Sequence, residues 1–161
     1  MDKIERDELI ELYGRGFDLL KAALAEVPQE ALKFKPEPKE WSVHEIIIHL
    51  ADSESISAFR VRKLIVEPGG FLMPYDQDKW AIDLNYHEQN TEDALEVLRL
   101  ARKTTYELLK RQPDEVFTHA LINPETKNEF TFERWLNIYP NHIPAHIEQI
   151  KNNIKIWREK K

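Results

Sequence analysis

His142 and His146 stand four residues apart near the C-terminal end of the chain. On a helix that spacing puts both imidazoles on one face, about one turn apart, within reach of a single ion. Taken alone, such a pair is more often two partly buried rings bonded to backbone or carboxylate partners. A third histidine alters the balance. His49 falls on the turn between Ile46 and Ser53 of an apolar stretch, so it borders a buried stripe. Burial disfavours imidazolium and leaves a neutral ring whose lone pair must find a hydrogen bond or a metal.

Three neutral imidazoles suit zinc, nickel, cobalt or iron(II) better than magnesium or calcium, which prefer oxygen ligands. Zinc or nickel is the first expectation, with water or a small thiol completing the coordination sphere. Asp52 and Ser53 follow His49 by three and four residues, which makes them the first candidates for a base or an outer partner of the site. Glu54 is turned away from His49, and Glu45 is engaged by a helix cap. His44, His87 and His119 lack spaced partners and read as surface or structural residues, and the four tryptophans read as packing.

These residues need elements to hold them. From Lys3 to about Glu26, Ile10, Tyr13, Phe17, Leu20 and Leu24 recur at helical steps, and Pro28 closes the run. Pro36 and Pro38 mark an extended connection across a bundle end. Ser42 with Glu45 forms a capping box for a second helix that carries His49 and stops at Glu67-Pro68-Gly69-Gly70. A long aromatic-rich segment follows, including Tyr75, Asp76, Asp78 and Trp80; its length requires a short helix of its own or a role as a lid. Thr91, with Glu92 and Asp93 behind it, is expected to cap a third helix running to about Gln112. A hairpin around Ile122-Asn123-Pro124-Glu125 leads to a last helix from Thr131, which Pro140 and Pro144 should bend beside the histidines.

The 161 residues fit one domain, residues 1–161, and the 42% hydrophobic content is enough to fill one core. With 4 glycines and 32% charged residues, the pattern is all-α rather than β. The net charge of -6 is interspersed, without the basic stripe that a phosphate backbone requires, so no nucleic acid is expected as a partner. The absence of cysteine excludes disulfides, a thiolate nucleophile and a cysteine metal site. A charged N-terminus, with no apolar run approaching the roughly 20 residues of a membrane span, leads us to expect a cytoplasmic protein.

The stretch from Trp41 to Glu54, Trp-Ser-Val-His-Glu-Ile-Ile-Ile-His-Leu-Ala-Asp-Ser-Glu, resembles the second-helix motif of the DinB-like superfamily of metal-binding bundles (DinB/YfiT-like). Tyr139 to Ile150 is similar to that family's last-helix motif, and Tyr75 to Ala81 resembles its loop, so the likeness covers nearly the whole chain. The resemblance implies a four-helix bundle with long crossover connections, often a homodimer, with a divalent metal held by His49, His142 and His146. It also implies a range of activities: thiol S-transferases using low-molecular-weight thiols, a maleylpyruvate isomerase branch, suspected hydrolases and members without assigned activity. Fold membership does not choose among them. Three readings stand at this stage. The first is a metal-dependent transferase or hydrolase acting on a small-molecule substrate or thiol. The second is a non-catalytic metal-binding or stress-response module, and the third a metal-free helical interaction protein.

Overall fold

The computed structural model describes Met1–Lys161. Five helices dominate: α1 (Lys3–Ala25), α2 (Val43–Val66), α3 (Gln77–Asp83), α4 (Thr91–Leu109) and α5 (Phe132–Glu159). Two short strands, β1 (Ala120–Ile122) and β2 (Glu129–Thr131), pair antiparallel between α4 and α5.

The long helices form a four-helix bundle in which α1 packs on α5, α5 on α2, α2 on α4 and α4 on α1. Two core clusters set their directions. One end gathers Ile10, Val61, Leu64, Leu109 and Trp135, and the other gathers Leu20, Ile47, Leu98 and Ile147. Residue numbers therefore rise from the first end to the second along α1 and α5, and in the opposite sense along α2 and α4. Helices α1 and α5 are parallel neighbours, as are α2 and α4, while the seam between α2 and α5 is antiparallel.

That order explains the connections. Because α2 and α4 run the same way, the chain between them must return along the length of the bundle. The segment from Glu67 to Asn90 does so, and it contains α3 and a single 3-10 turn at Tyr86–Glu88. Asp76, one of the acidic residues considered for a lid, caps α3 by accepting from the amides of Asp78 and Lys79. The proline-bearing stretch after α1 crosses one bundle end, and the β-hairpin crosses the other.

Local chemistry fixes the helix ends. Ser42 and Glu45 make the expected reciprocal capping box, and Thr131 accepts from the Arg134 amide to start α5. The cap of α4 differs from the expectation. Asn90, not Thr91, accepts from the amides of Glu92 and Asp93, because its extended backbone aims the side-chain oxygen at the open helix start. The helix also stops at Leu109, short of Gln112. Helix α5 continues unbroken through Pro140 and Pro144.

The middle of the bundle is polar. Arg102 of α4, 1% exposed, donates to Glu54 of α2 (2.6 Å), to the Tyr13 carbonyl of α1 (2.7 Å) and to the Tyr139 carbonyl of α5 (3.3 Å). The Tyr13 hydroxyl donates to the other oxygen of Glu54. One guanidinium thus ties all four helices at one level. Gly16 makes the approach possible, since a Cβ there would lie 2.6 Å from Arg102 Nη2.

Candidate metal centre

Next to this polar level, on the seam between α2 and α5, the three histidines converge. His49 Nε2 is 3.3 Å from His142 Nε2, and His146 Nε2 is 3.1 Å from the same atom. Donor atoms of all three lie within 4.8 Å of one another. Around a tetrahedral ion with metal–nitrogen bonds of ~2.0–2.1 Å, ligand nitrogens stand roughly 3.3–3.4 Å apart. The His49–His142 and His142–His146 nitrogen separations sit close to that spacing.

Hydrogen bonding leaves these atoms unsatisfied among themselves. His142 Nε2 faces two other ring nitrogens and, carrying a proton, could donate to only one of them. Gln149 Oε1 lies 2.9 Å from His146 Nδ1 and accepts its proton, which leaves the lone pair of His146 on Nε2, facing the cluster. A cation satisfies converging lone pairs that protons cannot, so the residues present fit a divalent metal.

The surroundings keep the rings neutral. Burial, reinforced by the two neighbouring imidazoles, lowers His49 to about 3. Burial, then His146, then the Arg102 charge, lowers His142 to about 3 as well. His146 is also shifted down by burial, with its bond to Gln149 opposing. His49 is buried, whereas both α5 histidines are partly exposed, so the cluster is deepest on the α2 side.

Trp41, immediately before the α2 cap, is a member of this site that sequence reasoning read as packing. Its ring centroid is 4.5 Å from that of His49 and 6.4 Å from that of His146, in the latter case nearly parallel. Tyr139 stands edge-on to His142 at 6.3 Å, and its hydroxyl accepts from Arg60 Nη1 at 2.8 Å. Trp41 was traceable only as an aromatic eight residues before His49, with no local signal that the chain folds back there.

The expected partners Asp52 and Ser53 do not bond to the histidines. Asp52 instead accepts from the Tyr86 hydroxyl at 2.6 Å, pinning the crossover segment onto α2. Ser53 is buried without a recorded bond to any imidazole. Asp52 is engaged by the crossover segment, and Ser53 lies a full turn farther along α2 than His49, so their spacing does not translate into contact. His49 Nδ1 is itself buried without a hydrogen-bond partner. His44, expected at the surface or in a structural role, is buried beside His87, with ring centroids 6.0 Å apart. His119 holds the Leu64 carbonyl at 2.8 Å.

A match to the model of the DinB superfamily spans residues 13–150, and so takes in every residue of this centre. The chain belongs to the DinB superfamily. A curated relative, "Putative metal-dependent hydrolase YfiT" of Bacillus subtilis, is 25% identical over 150 residues, covering 93% of this chain and 84% of the relative. A similarly named protein of Bacillus licheniformis is 26% identical over 154 residues, covering 96% of this chain and 88% of the relative. A third, from Oceanobacillus iheyensis, is 26% identical over 137 residues, covering 85% and 78%. The solved structure of Bacillus subtilis YfiT, described as having an unusual four-helix bundle topology, superposes with a TM-score of 0.86 at 25% identity, covering 95% of this chain and 87% of that one. In this chain the four-helix bundle is built on the parallel pairs α1/α5 and α2/α4. No helix is long and apolar enough to cross a membrane.

Proposed function

We propose that this DinB-superfamily protein is a metal-dependent hydrolase whose His49, His142 and His146 hold one zinc or nickel ion. The observation that carries the reading is the convergence of three neutral imidazoles, one buried and two partly exposed, with no carboxylate among them. A ligand set of neutral nitrogens leaves the ion its full double charge, and a divalent ion so held acts as a Lewis acid that brings the pKa of a coordinated water or thiol toward neutrality. The names of the three curated relatives favour water over thiol as the group activated.

The chain's own residues supply the rest. Gln149 fixes the tautomer of His146. Trp41 and Tyr139 wall the imidazoles with aromatic surface, which holds their orientation and lowers the local dielectric. Arg102 anchors the Tyr139 carbonyl, one turn before His142, and so ties the ligand-bearing part of α5 to the bundle centre.

The test is metal content and ester or amide hydrolysis by untagged protein, as wild type and as His49→Ala, His142→Ala and His146→Ala. One equivalent of metal in the wild type, lost in each variant together with turnover, supports the proposal. Bound metal without turnover of any hydrolysable substrate turns the reading to S-transfer, tested with small thiols and an electrophile, or to a binding module. No metal in the wild type overturns it.

A further inference from the structure

Further along the α2–α5 seam, two guanidiniums stand beside one aromatic ring without an ion-pair partner. Arg60 is on α2, eleven residues after His49, and Arg134 is on α5, eight residues before His142. Because the helices are antiparallel, both offsets lead the same way, roughly 12–16 Å from the histidines at about 1.5 Å per residue. There the two side chains share one aromatic platform, each with its guanidinium carbon 5.6 Å from the centre of the Phe130 ring.

Arg6, Arg99 and Arg102 each pair with a carboxylate. Arg60 and Arg134 do not. Arg60 spends Nη1 on the Tyr139 hydroxyl and Nη2 on the Met73 carbonyl, both neutral acceptors, and its Nε is buried with no partner. Two like charges on one ring repel, and an unused buried donor costs free energy. Both costs are removed by an oxyanion. Both arginines line a cleft of about 370 Å³, together with Tyr75, Asn123, Asn128 and Glu129, within the range of small-ligand sites. Glu129 is exposed and bonded to neither arginine, so the wall keeps a net positive charge.

We propose that Arg60 and Arg134 form an oxyanion-binding site that receives a carboxylate or phosphate of the substrate while its reacting group lies at the histidines. This rests on the hydrolase reading for its link to catalysis, but the anion site exists independently of the metal. It narrows the substrate class to elongated molecules carrying an anionic group remote from the bond that is cleaved. Tyr139 joins the two ends, bonded to Arg60 and edge-on to His142.

The experiment is a titration of metal-free protein with inorganic phosphate and, separately, succinate, followed by amide and arginine Nε–H NMR shifts. Metal-free protein is used so that neither anion can report on the metal, and failure of the metal reading leaves this result intact. The expected result is saturable shifts centred on Phe130, Arg60 and Arg134, with affinity falling about tenfold or more in Arg134→Gln and Arg60→Gln and rising in Glu129→Gln. The stronger of the two anions identifies phosphate or carboxylate as the recognised group. Arg134 is exposed and leaves the core untouched, so its variant remains informative if Arg60→Gln does not fold. Shifts that do not saturate, or that are unchanged in Arg134→Gln, overturn the proposal.

Discussion

Gln149 decides which nitrogen of His146 faces the cluster: its Oε1 sits 2.9 Å from His146 Nδ1, one turn farther along α5. Outer partners of this kind orient a ligating imidazole and raise its basicity, and losing one typically costs about 10–100-fold in metal affinity. Gln149→Ala is therefore expected to keep a stoichiometry of one ion while weakening binding by that factor. Gln149→Glu, which replaces the amide by a stronger acceptor, should bind at least as tightly as wild type. Competition with a chromophoric chelator measures both. Equal affinity in Gln149→Ala and wild type would remove Gln149 from the site.

Trp41 makes occupancy visible. With its ring 4.5 Å from His49, a paramagnetic ion such as nickel held by the three histidines lies close enough to quench its emission. Titration should give a quench that saturates at one equivalent, disappears in His49→Ala, and is greatly reduced in Trp41→Phe. That last variant should still bind the ion, as read by equilibrium dialysis. Quenching undiminished in Trp41→Phe would place the ion near another tryptophan and so away from this cluster.

Acid should destabilise the metal-free protein through the same rings. His49 and His142 are lowered from 6.5 to about 3 in the folded state, so the unfolded chain binds more protons between those values. Their contribution is present above about pH 6.5 and is lost as pH falls toward 3. The cluster as a whole should lose on the order of a few kcal/mol across that window, seen as a falling urea midpoint. Protons compete with metal for the same lone pairs, so affinity must fall in the same direction. A His49→Ala/His142→Ala protein should show a flatter profile between pH 6.5 and 4. If its slope matches wild type, other groups govern acid sensitivity.

What sequence could reveal followed from how local each signal was. The four-residue spacing of His142 and His146 is a property of one helix, as are the Ser42–Glu45 box and the Thr131 cap, and all three appear as read. His49 was placed at the border of a buried stripe by the same periodicity. Contacts between distant segments left no such trace. Asp52 meets Tyr86 because the crossover returns along α2, and Trp41 meets His49 because the chain folds over the start of its own helix. The same applies to Glu54. Its five-residue offset correctly turned it from His49, but only the assembled bundle shows that this direction is the centre, where Arg102 awaits it.

That pair yields the sharpest stability test. Arg102 and Glu54 are 1% and 3% exposed, and burial pushes the Glu54 carboxyl up against the opposing pull of the guanidinium. Removing one partner of a buried pair usually costs about 3–5 kcal/mol, whereas replacing both by apolar groups of similar volume is much less damaging. Arg102→Met is expected to lose that amount in urea denaturation, and Arg102→Met/Glu54→Leu to recover a large part of it. In the single variant the carboxyl, deprived of its cation, titrates still higher in the folded state. The contribution of this carboxyl is then present below the unfolded carboxylate range and is lost as pH rises through its folded value, superimposed on the acid loss from the histidines. Gly16→Ala probes the pair from α1, since its Cβ would stand 2.6 Å from Arg102 Nη2 and force the guanidinium from its place. Its cost should shrink when Arg102 is already methionine. Additive effects of Gly16→Ala and Arg102→Met would mean that the glycine serves the helix rather than the arginine.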